Sequence, residues 1–257
     1  MNQSVQKAMQ ILDLFIEEAG ELTLQEISDK TNIPKPTAYR LLSTLEAGDL
    51  LYKTKQSRHD SRYRLGLKLL ELGQLVSDQL ELRGIALHYM EQLARDINEV
   101  VHLVIVNQNK ATYIEKVEST RALRLFTRIG KSTPLYIGSG PKLLLAHLPK
   151  EKQEEILAES TLFPLTNQTP IDKTKLWKEL AMIREEGYAF SIAEQDADTT
   201  GISYPIYDYR NQVIAALAVS GLSTYFEGER LDMIKEKTKV SLRWAPKKRI
   251  NRNTLNN

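Results

Sequence analysis

The sequence predicts a mixed α/β chain, α+β in its larger part, in which a winged helix-turn-helix precedes a helical linker and a domain built on an antiparallel sheet. Three observations predict it. Apolar side chains recur at helical spacing in three segments before Gly48, the stretch after Gly48 forms two β-like segments around a polar tip, and from Glu99 the hydrophobic period changes from helical to strand-like. A chain of 257 residues, 42% hydrophobic and 26% charged, has room for two domains, each with its own core.

Val5, Ala8, Leu12, Phe15 and Ile16 fall at helical steps and Gly20 stands where a helix would stop, so residues 4–18 read as a first amphipathic helix. Thr23 with Glu26 three places on forms a capping box, in which each side chain satisfies an orphan backbone donor at a helix start. The second helix, 24–31, turns Leu24 and Ile27 inward and is broken by Asn32-Ile33-Pro34. The third lies in NIPKPTAYRLLSTLEAGDL, residues 32–50. At about 100° per residue, Ala38, Leu41, Leu42 and Leu45 share one arc, with Arg40, Ser43 and Ala47 opposite and Tyr39 beside them. Small and polar groups suit a face that enters a groove. DLLYKTKQSRHDSRYRLG then offers two β-like segments, 50–54 and 61–65, around a tip of Lys, Arg, Ser and Asp: a hairpin of the kind called a wing.

Charge separates along this N-terminal part. Residues 1–33 carry two basic groups against six acidic ones, and residues 34–64 carry seven against three. The net charge of +2 for the whole chain hides this polarity, whose positive end is the third helix, beginning at Lys35, and the hairpin. Those are the elements a winged helix-turn-helix presents to double-stranded DNA. Arg40 is the base-edge candidate, because a guanidinium pairs bidentately with guanine, while Thr37, Tyr39 and Ser43 suit bases or phosphate. Lys53, Lys55, Arg58 and Arg62 suit phosphate or the minor groove, where they position the protein without reading sequence. The competing reading is a three-helix module for protein contacts with its charges solvated, serving a metabolite-binding protein or an enzyme.

Residues 65–98 are helix-compatible, with bends expected at Gly73 and Gly84. A helical, apolar linker buries surface either on the next domain or against its copy in a dimer. Strands follow at 100–106, 111–118 and 122–127, helices at 139–148, 150–159 and 174–187, strands at 202–208 and 213–220, and a last helix from about Glu227. Strands at both ends with helices between them give an antiparallel sheet backed by helices.

Composition and spacing exclude several chemistries. Zero cysteines remove disulfides, thiolate metal sites and cysteine nucleophiles, and His59, His88, His102 and His147 are scattered without metal-ligand spacing, so neither a metal nor a cofactor is expected. No apolar run reaches the 18 or so residues of a membrane span and MNQSVQKAMQ lacks a signal-peptide layout, so no membrane contact and a cytoplasmic location are expected. Gly130-Lys131-Ser132 ends like a P-loop, but Leu125 stands where that loop needs glycine. Gly138-Ser139-Gly140 suggests a nucleophile elbow, yet Ile137 and Pro141 occupy its glycine positions. Glu194, Asp196 and Asp198 read as a solvated acidic loop, and no enzyme is expected. Gly138-Ser139-Gly140 before the helical run from Pro141 offers free N–H groups to a carboxylate or other anion; a tight strand-to-helix turn explains the glycines equally well.

Four stretches, LTLQEISDKTNIPKPTAYRLLSTLEAGDLL with YRLGLKLLELG, RIGKSTPLYIGSGPKLLLAHLP, and EEGYAFSIAEQDADTTGISYPIYDYRNQVIAALAVSG, occur in the order and spacing of the IclR family of bacterial transcription regulators, which the chain resembles over residues 1 to about 245. The resemblance implies a winged helix-turn-helix over 1–65, a linker helix over 66–80, a GAF-like effector-binding domain over 81–245 and a basic tail over 246–257. It also implies a homodimer or homotetramer, a palindromic operator and a small-molecule effector; most members are repressors. For the effector site it implies Leu125 as an apolar wall and Ser139 and Gly140 as N–H donors, with Pro141-Lys142 where the family usually has Gly-Lys. Gly201 stands in place of a cysteine found in relatives that bind small keto acids, and of two serines on the last strand Ser220 is kept and the other is Ala218. Fewer fixed polar groups point to an effector larger or more apolar than glyoxylate or pyruvate, with Glu194 and Asp196 supplying polarity. Residues 242–257, with Arg243, Lys247, Lys248, Arg249 and Arg252 and no acid, are expected to be disordered, and any DNA contact they make would be non-specific.

Overall fold

The computed structural model describes residues 2–18, 20–55, 61–121 and 127–242. Arg58, Leu125, the basic tail from Arg243 and most of the strand expected over 122–127 lie outside these residues, as does Lys55 beyond its backbone; Thr127, the described end of that stretch, is not in a strand. The chain divides into two compact units, one up to Asp78 and one from Gln79.

In the first unit α1 spans Gln3–Glu17 and is capped by Asn2, whose side chain accepts from the Ser4 and Val5 amides. Its buried residues are Ile11 and Phe15, whereas Val5, Met9 and Ile16 are exposed, so Val5 and Ile16 do not join the inward stripe that periodicity assigned to them. A two-residue strand β1 (Leu22–Thr23), absent from the sequence reading, leads into α2 (Leu24–Thr31), where both halves of the Thr23–Glu26 capping box form. Asn32 ends α2 in the left-handed region at φ 55°, a conformation its short polar side chain tolerates. Pro34 then starts α3 (Lys35–Ala47), with proline again in the first turn, where a missing N–H costs nothing. Ala38, Leu42 and Leu45 meet Ile11, Phe15 and Ile27 in the core of this unit, joined by Leu51 of β2 (Leu51–Lys55) and Tyr63 of β3 (Ser61–Leu65). The sheet is antiparallel in the order β1-β3-β2. Helix α4 (Leu67–Asp78) has no buried residue and exposes Leu67, Leu70, Leu75 and Val76. Gly73 lies inside α4 and Gly84 inside α5 (Glu81–Ile97), so neither interrupts a helix; the break falls at Gln79–Leu80, since an isolated helical glycine costs only about 1 kcal/mol.

The second unit carries a six-stranded antiparallel sheet in the order β6-β5-β4-β9-β8-β7. Its strands are β4 (Val100–Asn107), β5 (Lys110–Val117), β6 (Ser132–Pro134), β7 (Ala189–Ile192), β8 (Thr199–Tyr207) and β9 (Val213–Leu222). Between β6 and β7 come α6 (Ser139–His147), α7 (Lys150–Glu159) and α8 (Lys173–Glu186), and α9 (Gly228–Ser241) follows β9. Strand alternation sorts the side chains. Val101, Leu103, Ile105, Leu217 and Val219 pack with Met90 and Leu93 of α5 and Ile234 of α9. Val104, Ala216 and Ala218 face Leu143 and Leu144 of α6, Ile156 of α7 and Leu180 of α8. Both faces of the sheet are therefore covered, and β6 and β7 are edge strands that the sequence reading did not contain.

Candidate functional site

On α3 the side chains of Lys35, Tyr39 and Arg40 are exposed, and those of Thr37 and Ser43 are half-buried. Lys53 of β2 joins them: its Nζ stands 5.7 Å from the Tyr39 ring centroid and 5.6 Å from that of Tyr63. The hairpin register puts Lys53 opposite Tyr63 and Arg62 opposite Thr54, so by alternation Lys53 shares the inward face with Leu51 and Tyr63, and Arg62 points to the other face. There Arg62 adds to the Thr23 hydrogen bonds that hold the Glu26 carboxyl below the usual carboxylate range. Of the two expected hairpin contacts whose side chains are described, Lys53 is brought against α3. Arg62 is not, because one residue of register separates the faces.

In the second unit, β8 and β9 run under the start of α6. Gly140 sits close to the sheet, where an added Cβ would lie 3.3 Å from Val104 Cγ2 and 3.5 Å from the Ala218 Cβ. An added Cβ at Gly201 would meet Ser139 Oγ at 2.8 Å and Ser191 Oγ at 3.2 Å, so a cysteine there would require Ser139 to turn. Ser139 Oγ accepts from Ser203 Oγ at 2.8 Å. Gly138, at φ 88°, precedes the helix and donates its N–H to Glu194 Oε2 at 2.9 Å. The next two amides, Ser139 and Gly140, stand in the first turn, where no intrahelical acceptor exists, and α6 has no side-chain cap.

Lys142, 0% exposed, donates to Glu194 Oε1 at 2.5 Å and also to Glu179 of α8. Burial pushes the Glu194 carboxyl up against the pull of Lys142, and the pair anchors the loop after β7 to α6. Thr169 Oγ1 ties the same loop by donating to the Glu194 carbonyl at 2.6 Å.

Around these groups lies a cavity of about 50 Å³. Ser139 and Gly140 line it with Gly201, Ala218, Ser220, Glu194 and the exposed Asp196, the residues singled out for this site other than Leu125, which lies outside the described residues. His102 of β4 also lines it, 2% exposed, with Nε2 2.9 Å from Ser220 Oγ and its ring edge-on to Tyr113 at 5.3 Å between centroids. Burial, helped by Lys116, pushes the His102 pKa down to about 3, so the ring is neutral at ordinary pH. Its Nδ1 is buried without a hydrogen-bond partner. Among the described residues no group of three or more His, Cys, Asp or Glu could hold a metal ion, and no helix is long and apolar enough to cross a membrane.

A helix-turn-helix whose third helix offers an exposed arginine, joined in one chain to an α/β domain with a polar cavity, is the architecture of a ligand-binding regulator. The pattern of the bacterial transcriptional regulator IclR C-terminal family matches residues 74–243, and that of the IclR helix-turn-helix domain matches residues 4–55. The chain belongs to the IclR family.

Its IclR relatives include the HTH-type transcriptional regulator KipR of Bacillus subtilis (strain 168), 36% identical over 238 residues, which are 93% of this chain and 93% of KipR. Among solved structures, the Thermotoga maritima IclR matches with a TM-score of 0.74 at 28% identity, covering 93% of this chain and 95% of that one. An IclR homolog from Microbacterium hydrocarbonoxydans, complexed with 4-hydroxybenzoate, matches with a TM-score of 0.75 at 25% identity, covering 94% of this chain and 100% of that one. This IclR-family protein is a DNA-binding transcriptional regulator and not an enzyme.

The IclR motifs did not disclose everything that lines the cavity. His102, Ser191, Thr199 and Thr200 also line it although the sequence did not single them out, and they add polar groups to its wall.

Proposed function

We propose that this regulator reads an inverted-repeat operator as a homo-oligomer, represses from it, and changes its operator affinity when a small carboxylate enters the cavity at the start of α6. The observation that carries this reading is the convergence of Ser139, Gly140, Gly201, Ala218 and Ser220 on one polar cavity whose helix N-terminus has two uncommitted amides. About 50 Å³ has room for a ligand of a few heavy atoms. The 4-hydroxybenzoate bound by the Microbacterium homolog is itself a carboxylate, which supports the class.

For the operator, Arg40 reads base edges, with Lys35, Thr37, Tyr39 and Ser43 of α3 beside it and Lys53 on phosphate. Lys55, Arg58 and Arg62 keep the phosphate or minor-groove role on the strength of their charge alone. The reading head spans residues 1–65, the linker 66–80 and the effector domain 81–245, and the protein works in the cytoplasm, where its DNA is. Leu67, Leu70, Leu75 and Val76, exposed on a helix that buries nothing, suit pairing with the same helix of a second copy, which also supplies the two-fold symmetry of an inverted repeat. Sedimentation equilibrium is expected to give a dimer or tetramer, and the double variant Leu70→Glu, Val76→Glu is expected to shift the mass toward monomer and to weaken operator binding. A monomeric wild-type protein would remove the oligomer from this reading.

A further inference from the structure

One of the rings that line the cavity carries a nitrogen that the fold leaves without a partner. His102 Nδ1 is buried without a partner, in a ring that is 2% exposed and lines the cavity. Leaving a buried nitrogen unpaired is costly, and native interiors rarely tolerate it without a reason. The site has a second vacancy in the Ser139 and Gly140 amides at the start of α6. The two are neighbours across Ala218, which is the ladder partner of His102 on β9 and lies 3.5 Å from the Cβ position of Gly140.

We propose that His102 is a specificity-determining residue of this cavity, and that its Nδ1 accepts a hydrogen bond from a hydroxyl on the carbon next to a carboxylate held by the Ser139 and Gly140 amides. The ligand class is then a small 2-hydroxy acid, an assignment that rests on the effector reading above and narrows it. Two features of the cavity favour a hydroxyl over a keto oxygen. The ring is neutral, so it does not itself attract the carboxylate. The Ser220 hydroxyl at 2.9 Å can accept the Nε2 proton, which leaves Nδ1 as an acceptor that a keto oxygen cannot satisfy.

The test is calorimetric titration of the full-length protein with three acids of the same carbon skeleton: lactate, pyruvate and propionate. Wild type is expected to bind lactate about tenfold or more tighter than pyruvate or propionate, since a site built for a hydroxyl rejects analogues lacking it. His102→Gln, which keeps a polar atom where Nε2 was but none at Nδ1, is expected to fold normally, to hold all three acids weakly and to lose the preference. His102→Asn, which restores a polar atom at the Nδ1 position, is expected to recover part of it. Equal binding of lactate and propionate to wild type, a preference for pyruvate, or an unchanged preference in His102→Gln would overturn the role of His102 while leaving a carboxylate effector standing. If wild type binds none of the acids, the carboxylate reading fails, and this assignment falls with it.

Discussion

An Arg40→Ala protein is expected to unfold at the parent temperature and to lose roughly 1–3 kcal/mol of its preference for operator over unrelated DNA. The reason is local. Arg40 is exposed on α3, opposite the arc formed by Ala38, Leu42 and Leu45, so its removal leaves the core intact. Lys53→Ala is expected to behave differently. Its ammonium sits over Tyr39 at the junction of α3 and the hairpin, so the variant should bind every sequence more weakly and show a salt slope smaller by about one. Fluorescence anisotropy with operator and scrambled duplexes, over a salt series, separates the two. Equal losses on both duplexes in both variants would remove the division between reading and positioning.

Lys142→Met is expected to destabilise the protein by about 3–5 kcal/mol, because removing one partner of a buried ionic group strands the others. Lys142 is fully buried, and Glu194, itself buried, loses with it the charge that offsets its own desolvation. Adding Glu194→Gln to Lys142→Met is expected to recover part of the loss, since the stranded carboxylate is then gone. Urea unfolding of the two variants measures this directly. A loss below about 1 kcal/mol in the single variant would show that the cluster does not hold α6 against the loop after β7.

Much of this was legible in the sequence where chemistry is local. The Thr23–Glu26 box, the break at Asn32 and the face carrying Arg40 each depend on residues within one or two turns, and α2 and α3 formed where those signals put them. The strands β1, β6 and β7, of two to four residues, were too short to show a period. The cavity was half legible. Ser139 and Gly140 carry a turn signal, but His102 reads as one more core position in VVHLVIV, and its chemistry comes from Ser220, 118 residues away. The tie between Lys142 and Glu194 spans 52 residues, and only folding brings the two together. The hairpin shows the opposite error, in which Lys53 and Arg62 look equivalent as charges although the pleat sends them to opposite faces.

The most direct test is capture of sheared genomic DNA from the source organism by the purified protein, followed by sequencing. The account predicts a few enriched fragments sharing one inverted repeat, with Arg40→Ala losing that enrichment while retaining salt-sensitive binding to bulk DNA. Flat recovery across the genome, with and without added small carboxylates, would contradict it.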